Sequence, residues 1–285
     1  MSAGKVLLAV LAHPDDESFG PGGTLAKYAR QGAAVHIAIA TDGSAGSVVE
    51  GYEEQRAQLA EVRRTELQAA VAILGGTLHM LGYRDSGYKG DEANNGHPEA
   101  FINGDFEEQT GRIVALLRTL RPQVVLTHDE MGGYFHPDHI RCNEITAAAF
   151  TAAADGTRFP ELGPEPFQAA RLYYTAFPRA RVRRLMFEMR LRGQDPTRMG
   201  RNKDIDFTQL GVPAARLHAQ INVRSTFATK RAASAEHKSQ GGGGMGRRYP
   251  PWLQKLIFGR EYFIRAYPPA ADGYRERDLF GTNGA

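Results

Sequence analysis

Two short stretches of this 285-residue chain concentrate groups that bind metals and move protons. His13-Pro14-Asp15-Asp16-Glu17 holds an imidazole and three carboxylates, and His136-Pro137-Asp138-His139 adds two imidazoles and a fourth carboxylate. Zinc favours His nitrogen and carboxylate oxygen, and a catalytic zinc site has three protein ligands with one position left for water. His13 and Asp16 can supply two ligands from one turn and His139 the third, which leaves Asp15 free beside the metal and His136 spare. A spare histidine oriented by Asp138 suits an electrostatic or proton-donating role. An acidic helix amino-terminus would also collect Asp and Glu, but it would not account for His13.

Both motifs follow apolar runs. Val6 to Ala12 is short and continuous, as expected of a strand buried on both faces of a parallel sheet, and Gln123 to Thr127 is a second such strand before His128-Asp129. Between them the chain alternates. Helical patterning at Thr24 to Arg30 leads to a strand at Ala34 to Thr41. A helix over Glu53 to Leu74, closed by Gly75-Gly76, leads to a strand at Thr77 to Leu81, and Phe106 to Leu120 is a further helix. The predicted fold class is α/β: a Rossmann-like, mostly parallel sheet with helices on both faces. A strand order of 3-2-1-4 puts the two motif-bearing strands side by side, with their carboxyl ends at the topological switch point.

Residues 1–155 are read as the catalytic core. Residues 156–285 are read as a less regular α/β extension that completes the sheet and the substrate pocket. There, strands are expected at Ala170 to Phe177 and Leu217 to Val223, and helices at Arg179 to Arg192 and Thr226 to Gln240. A flexible loop is expected around 241–249, a late edge strand at Glu261 to Tyr267, and poor order in the last dozen residues. His237, beside the glycines, is a lid contact that would meet substrate. His36, His79 and His218 are read as packing or surface residues, and Cys142 as a buried thiol.

Composition narrows the function further. The single cysteine excludes a disulfide framework and a multi-cysteine zinc site. No apolar run is long enough to span a bilayer and none ends in a small-residue cleavage site, so a cytoplasmic protein with no membrane partner is expected. Residues 1–150 carry 12 Lys/Arg against 20 Asp/Glu (−8), and the remainder 23 against 12 (+11). The basic half has no nucleic-acid motif beside it and reads as a solvated face. A homo-oligomer is compatible with the sequence. No phosphate-binding loop, dinucleotide fingerprint or nucleophile elbow is present.

HPDDE followed at a distance by HPDH resembles the LmbE-like, or PIG-L, zinc-dependent N-deacetylases, which remove acyl groups from N-acyl glucosamine units. The resemblance runs from Val6 to Phe150 through Thr41 and Gly43, Arg63-x-x-Glu66-Leu67 and Leu74-Gly75. It continues as Lys230 to Gln240, similar to a family segment ending in His-x-Ser-Gln. Tyr83-Arg84-Asp85-Ser86-Gly87 is most similar to the mycothiol-pathway deacetylase and S-conjugate amidase branch. The resemblance implies one Zn2+ per chain, or Fe2+ or another divalent transition metal, on His13, Asp16 and His139. It implies Asp15 as general base, Tyr134 as an oxyanion stabiliser, and Arg63 and Asp85 facing the sugar of a small N-acyl amino-sugar substrate.

The chemistry of these residues agrees with such a hydrolase. Bound zinc lowers the pKa of water to about 7, Asp15 can take the proton, and Tyr134 and His136 can meet the oxyanion. The leaving amine is protonated by Asp15 or by His136. A magnesium phosphohydrolase fits less well, because magnesium prefers oxygen ligands. A non-catalytic sugar- or anion-binding module would have no use for Asp15 beside a metal.

Overall fold

The computed structural model describes residues 4–162, 165–199, 205–242 and 249–281. In chain order the elements are β1 (Val6–Leu11), α1 (Asp16–Phe19), α2 (Gly22–Arg30), β2 (Ala34–Thr41), α3 (Leu59–Leu74), β3 (Thr77–Tyr83), α4 (Glu92–Asn95), α5 (Phe106–Leu120) and β4 (Val124–Thr127). There follow α6 (Gly132–Phe135), α7 (Pro137–Ala152), β5 (Arg171–Ala176), α8 (Arg179–Arg190), β6 (Ala219–Asn222), α9 (Phe227–Glu236), α10 (Pro251–Phe258) and β7 (Arg260–Tyr267). The described strands form one sheet in the order β3-β2-β1-β4-β5-β7-β6. β1 pairs in parallel with both β2 and β4, so the two motif-bearing strands are neighbours, as the order 3-2-1-4 requires.

The apolar runs of β1 and β4 are explained by what covers them. Leu7, Ala9 and Leu11 join one core with Leu25, Ile37, Leu67 and Val71, while Leu8 and Val10 join a second with Ile113, Val114, Cys142 and Ile145. A strand between two helical layers has no face to leave polar. Cys142 is fully buried, as expected.

Residues beyond 155 extend the same sheet. β5 pairs in parallel with β4, whereas β7 runs antiparallel to both β5 and β6. The strand expected at an edge, Glu261 to Tyr267, is therefore internal, and β6 takes the outer position. The expectation of a poorly ordered tail also fails for its described part. Leu279 is fully buried, its N–H donates to Tyr28 Oη at 2.7 Å, and Tyr28 Oη donates to Asp278 at 2.9 Å. These contacts tie the tail to α2. Of the loop expected around 241–249, residues 243–248 lie outside the described residues.

α9 crosses back over the amino-terminal half, packing on α1, α2 and α3. Its Lys230 meets Glu261 at 2.6 Å, and the same carboxylate accepts the N–H groups of Gly23 and Thr24 at 2.9 and 2.7 Å. Glu261 thereby caps the Gly23 amide, which the first turn of α2 leaves without a helical partner, and adds a second acceptor to the Thr24 N–H, which also donates to the Pro21 carbonyl at 2.8 Å. Gly23 is required there, because a Cβ would lie 2.8 Å from that of Val223 and 2.9 Å from Glu261 Oε1.

Candidate active site

The chain beyond β1 turns at once into α1, and the chain beyond β4 leads through a tight loop to the amino-terminus of α7. His13 Nδ1 lies 3.1 Å from His139 Nε2, Asp16 Oδ2 lies 3.6 Å from that His13 nitrogen, and His139 Nε2 is 3.5 Å from the same carboxylate oxygen. Four-coordinate zinc-like ions, with bonds of about 2.0–2.1 Å, set ligand atoms about 3.4 Å apart. The three donors therefore fit one small divalent cation. Three overlapping sets of ligand-type atoms adjoin it: His13 with His136 and His139, Asp16 with His128 and His139, and His13 with Asp85 and Asp138.

Each donor is held from behind. His13 Nε2 donates to Asp138 Oδ2 at 3.0 Å, an oxygen that also accepts the Ser86 N–H at 3.0 Å. Asp138 was expected to orient His136, but its carboxylate orients His13. The link to His136 runs through the backbone, with the Asp138 N–H donating to His136 Nδ1 at 3.2 Å and so capping α7, whose first residue is Pro137. Asp16 Oδ2 accepts the His13 N–H at 2.8 Å. His139 is held by the Gly132 backbone.

Electrostatics divide the two motifs. Burial opposes charge on His13, yet its hydrogen bonds to Asp138 and Asp16 hold its pKa well above the usual imidazole value. Burial likewise opposes ionisation of Asp16, but His139 and His128 keep it well below the usual carboxylate range. Burial and repulsion from Asp16 push Asp15 up to about 8. Burial, with His13 and His139 nearby, pushes His136 well below the usual range, so it stays neutral. A neutral His136 that accepts at Nδ1 carries its proton on Nε2 and is a donor there. Burial, then Asp16 and Asp15, raise the Tyr134 hydroxyl well above its ordinary value.

Asp15 has φ 126° and ψ −29°, a conformation rare for any residue with a side chain, at a cost of about 1–3 kcal/mol. It lines a pocket of about 800 Å³ together with His13, Arg63, Asp85, Tyr134 and His136. Arg63 also braces one wall, donating to the Gly43 and Ser47 carbonyls at 2.6 and 3.0 Å. Asp85 accepts the Gly87 N–H at 2.8 Å and lies 3.7 Å from His13 Nε2.

His237 is elsewhere. Expected as a lid contact to substrate, it is fully buried and donates from Nε2 to Glu17 Oε1 at 2.7 Å. The adjacent glycines suggested exposure, whereas α9 delivers the side chain inward. His128 is the functional-site residue that the sequence reading passed over. Its Nε2 accepts the Ala12 N–H at 3.0 Å, and its ring stacks on His139 with centroids 3.9 Å apart. Its place at the carboxyl end of β4 was the available signal.

The description "GlcNAc-PI de-N-acetylase", PIG-L, matches residues 8–150. A 1D-myo-inositol 2-acetamido-2-deoxy-alpha-D-glucopyranoside deacetylase of Geodermatophilus obscurus is 36% identical over 293 residues, spanning 98% of each chain. The chain belongs to the PIG-L family and is a hydrolase of the deacetylase type.

Solved structures agree on the fold. An N,N'-diacetylchitobiose deacetylase of Pyrococcus horikoshii has a TM-score of 0.62 at 19% identity, covering 92% of this chain and 84% of its own. A 4-carboxy-2-hydroxymuconate hydratase of Pseudomonas putida KT2440 has a TM-score of 0.61 at 18% identity, covering 94% and 99%. The same architecture thus carries different reactions, and the chemistry of each is set by its site residues. Among the described residues, no helix is long and apolar enough to cross a membrane.

Proposed function

We propose that this chain hydrolyses the N-acetyl group of a glucosaminide, with an inositol-linked N-acetylglucosamine as the leading substrate. The cofactor in this reading is a divalent transition metal, zinc before Fe2+, held by His13 Nδ1, Asp16 and His139 Nε2. The observation that carries the reading is the triangle of 3.1, 3.5 and 3.6 Å among those donors, with Asp15 beside it on the pocket wall. The identity of the G. obscurus deacetylase to this chain supports the choice of substrate.

When bound, the metal polarises the amide carbonyl and acidifies the attacking water. Asp15 takes the proton of that water, a task that requires an ionised carboxylate, and the charge of the bound cation favours that form against the burial that raises Asp15 to about 8 in the metal-free chain. Tyr134 Oη and His136 Nε2 donate to the oxyanion, and one such donor is typically worth about 3–4 kcal/mol. Because His136 is neutral and Asp15 has just gained a proton, Asp15 returns it to the leaving amine. Acetate and the free amine are the products. Arg63 and Asp85, a donor and an acceptor on the same pocket wall, meet the sugar hydroxyls.

The test measures metal content and amine release from inositol-linked N-acetylglucosamine, with a thiol conjugate of the acylated amino sugar as the second substrate. Asp15→Ala is expected to keep the metal and lose about 10³-fold or more in turnover. Full activity in that variant overturns the mechanism, and activity confined to the conjugate overturns the substrate assignment.

A further inference from the structure

Glu17 stands inside the first motif, yet the metal and the reacting groups leave it without a task. It is fully buried, and so is His237, 220 residues further along the chain. One Glu17 oxygen accepts from His237 Nε2 at 2.7 Å, and the other accepts the Asp15 N–H at 3.0 Å. That amide belongs to the residue whose backbone stands at φ 126°.

The segment around His237 is itself fastened to the same turn and to α3. Gln240 Nε2 donates to the Pro14 carbonyl at 2.6 Å, and the Ser239 N–H and Oγ donate to the two Glu66 oxygens at 2.8 and 2.7 Å. The His237 ring meets Phe19 edge-on at 5.9 Å. A residue held in a sparsely populated conformation needs surroundings that over-determine it. Here the surroundings come from the carboxyl-terminal third of the chain.

We propose that Glu17 and His237 are positioning residues, His237 fixing the Glu17 carboxylate so that its second oxygen holds the Asp15 amide and keeps the Asp15 side chain aimed into the pocket. The proposal rests on Asp15 acting as the base. It gives the His-x-Ser-Gln segment a role: a carboxyl-terminal clamp that sets the geometry of an amino-terminal catalytic turn without touching substrate.

The experiment uses the metal-loaded chain and compares wild type with Glu17→Ala, His237→Ala, their double, Glu17→Gln and Glu17→Asp. It reads kcat and KM for amine release, bound metal, and deuterium exchange of residues 13–20. Misplacing a catalytic group by about 1 Å costs about 10²-fold, so both alanine variants should lose about that much in kcat, with KM and metal content nearly unchanged and exchange faster at Asp15 to Phe19. The double should be no worse than the poorer single, because both substitutions break one chain of contacts.

Glu17→Gln keeps an oxygen for the Asp15 amide and presents its NH2 to His237 Nε2, which accepts once the neutral ring carries its proton on Nδ1, and should recover most of kcat. Glu17→Asp keeps the charge but cannot reach both partners, and should not recover. If the alanine variants fail to fold, this pair decides. Wild-type kcat with unchanged exchange, losses that track metal release, or an active Glu17→Asp overturns the proposal. Asp15→Ala run alongside separates two failures: loss there with none at Glu17 and His237 sinks this inference alone, whereas an active Asp15→Ala sinks the reading beneath it.

Discussion

Asp138 Oδ2 meets His13 Nε2 at 3.0 Å, so the second motif orients the imidazole of the first. The other Asp138 oxygen is buried without a partner among the described residues, and the carboxylate therefore spends its hydrogen-bonding capacity on His13 and Ser86. With Nε2 engaged, Nδ1 of His13 is turned toward His139 and Asp16. Carboxylates behind metal-binding histidines typically contribute about 10–100-fold in affinity. Asp138→Ala should weaken metal binding by about that factor in a competition titration against a chelator. Unchanged affinity would show that His13 needs no such support.

The burial of Asp15 has a thermodynamic signature in the metal-free chain. Its pKa is about 8 when folded, against 3.8 for the free side chain. Between those values the folded state holds the extra proton, so this carboxylate's contribution to stability falls as pH rises from about 4 to about 8. Asp15→Asn removes the penalty. Because Asp15 opens on the pocket and solvent screens part of the effect, the gain should be about 1–3 kcal/mol at pH 8 and near zero at pH 4. Denaturant melts of metal-free protein across that range check it, and a gain independent of pH would point to backbone relief instead.

Tyr134 separates binding from chemistry. Its ring stacks on Tyr88 with centroids 5.8 Å apart, and the Tyr88 hydroxyl donates to the Tyr134 carbonyl at 2.9 Å, so the loop is held without the Tyr134 hydroxyl. Tyr134→Phe should lower kcat by about 10²-fold and leave KM within about threefold, as expected for an interaction made in the transition state. A rise in KM at constant kcat would assign the hydroxyl to substrate binding.

How much of this was legible in the sequence depended on the range of the interaction. β1, β2 and β4 were readable because a strand covered on both faces must be apolar throughout, and the adjacency of β1 and β4 followed from the topology. The ligand-type residues were readable because the end of each strand brings them together within a few residues. His237 was not readable. Its partner lies 220 residues away, and the glycines beside it indicated exposure. The internal position of β7 escaped for the same reason, since its antiparallel partners β5 and β6 are distant in sequence. The partner of Asp138 depended on how α7 is rotated, which spacing alone does not set.

Glu261 extends that reasoning to stability. Its carboxylate accepts from Lys230 Nζ at 2.6 Å and from the Gly23 and Thr24 amides at 2.9 and 2.7 Å, and both charged side chains are almost fully buried. Glu261→Ala would leave a buried ammonium with the Gly20 carbonyl at 2.5 Å as its remaining hydrogen-bond partner among the described residues. Breaking one side of a buried pair costs about 3–5 kcal/mol, which for a chain of this size lowers Tm by about 5–8 °C. The loss should come from the stranded charge more than from the missing contact. Adding Lys230→Met to Glu261→Ala should then recover part of the stability, because the ammonium is gone while the Gly23 amide remains uncapped. If the double variant melts below the single, the packing of the lysine stem, and not its charge, is what α9 contributes here.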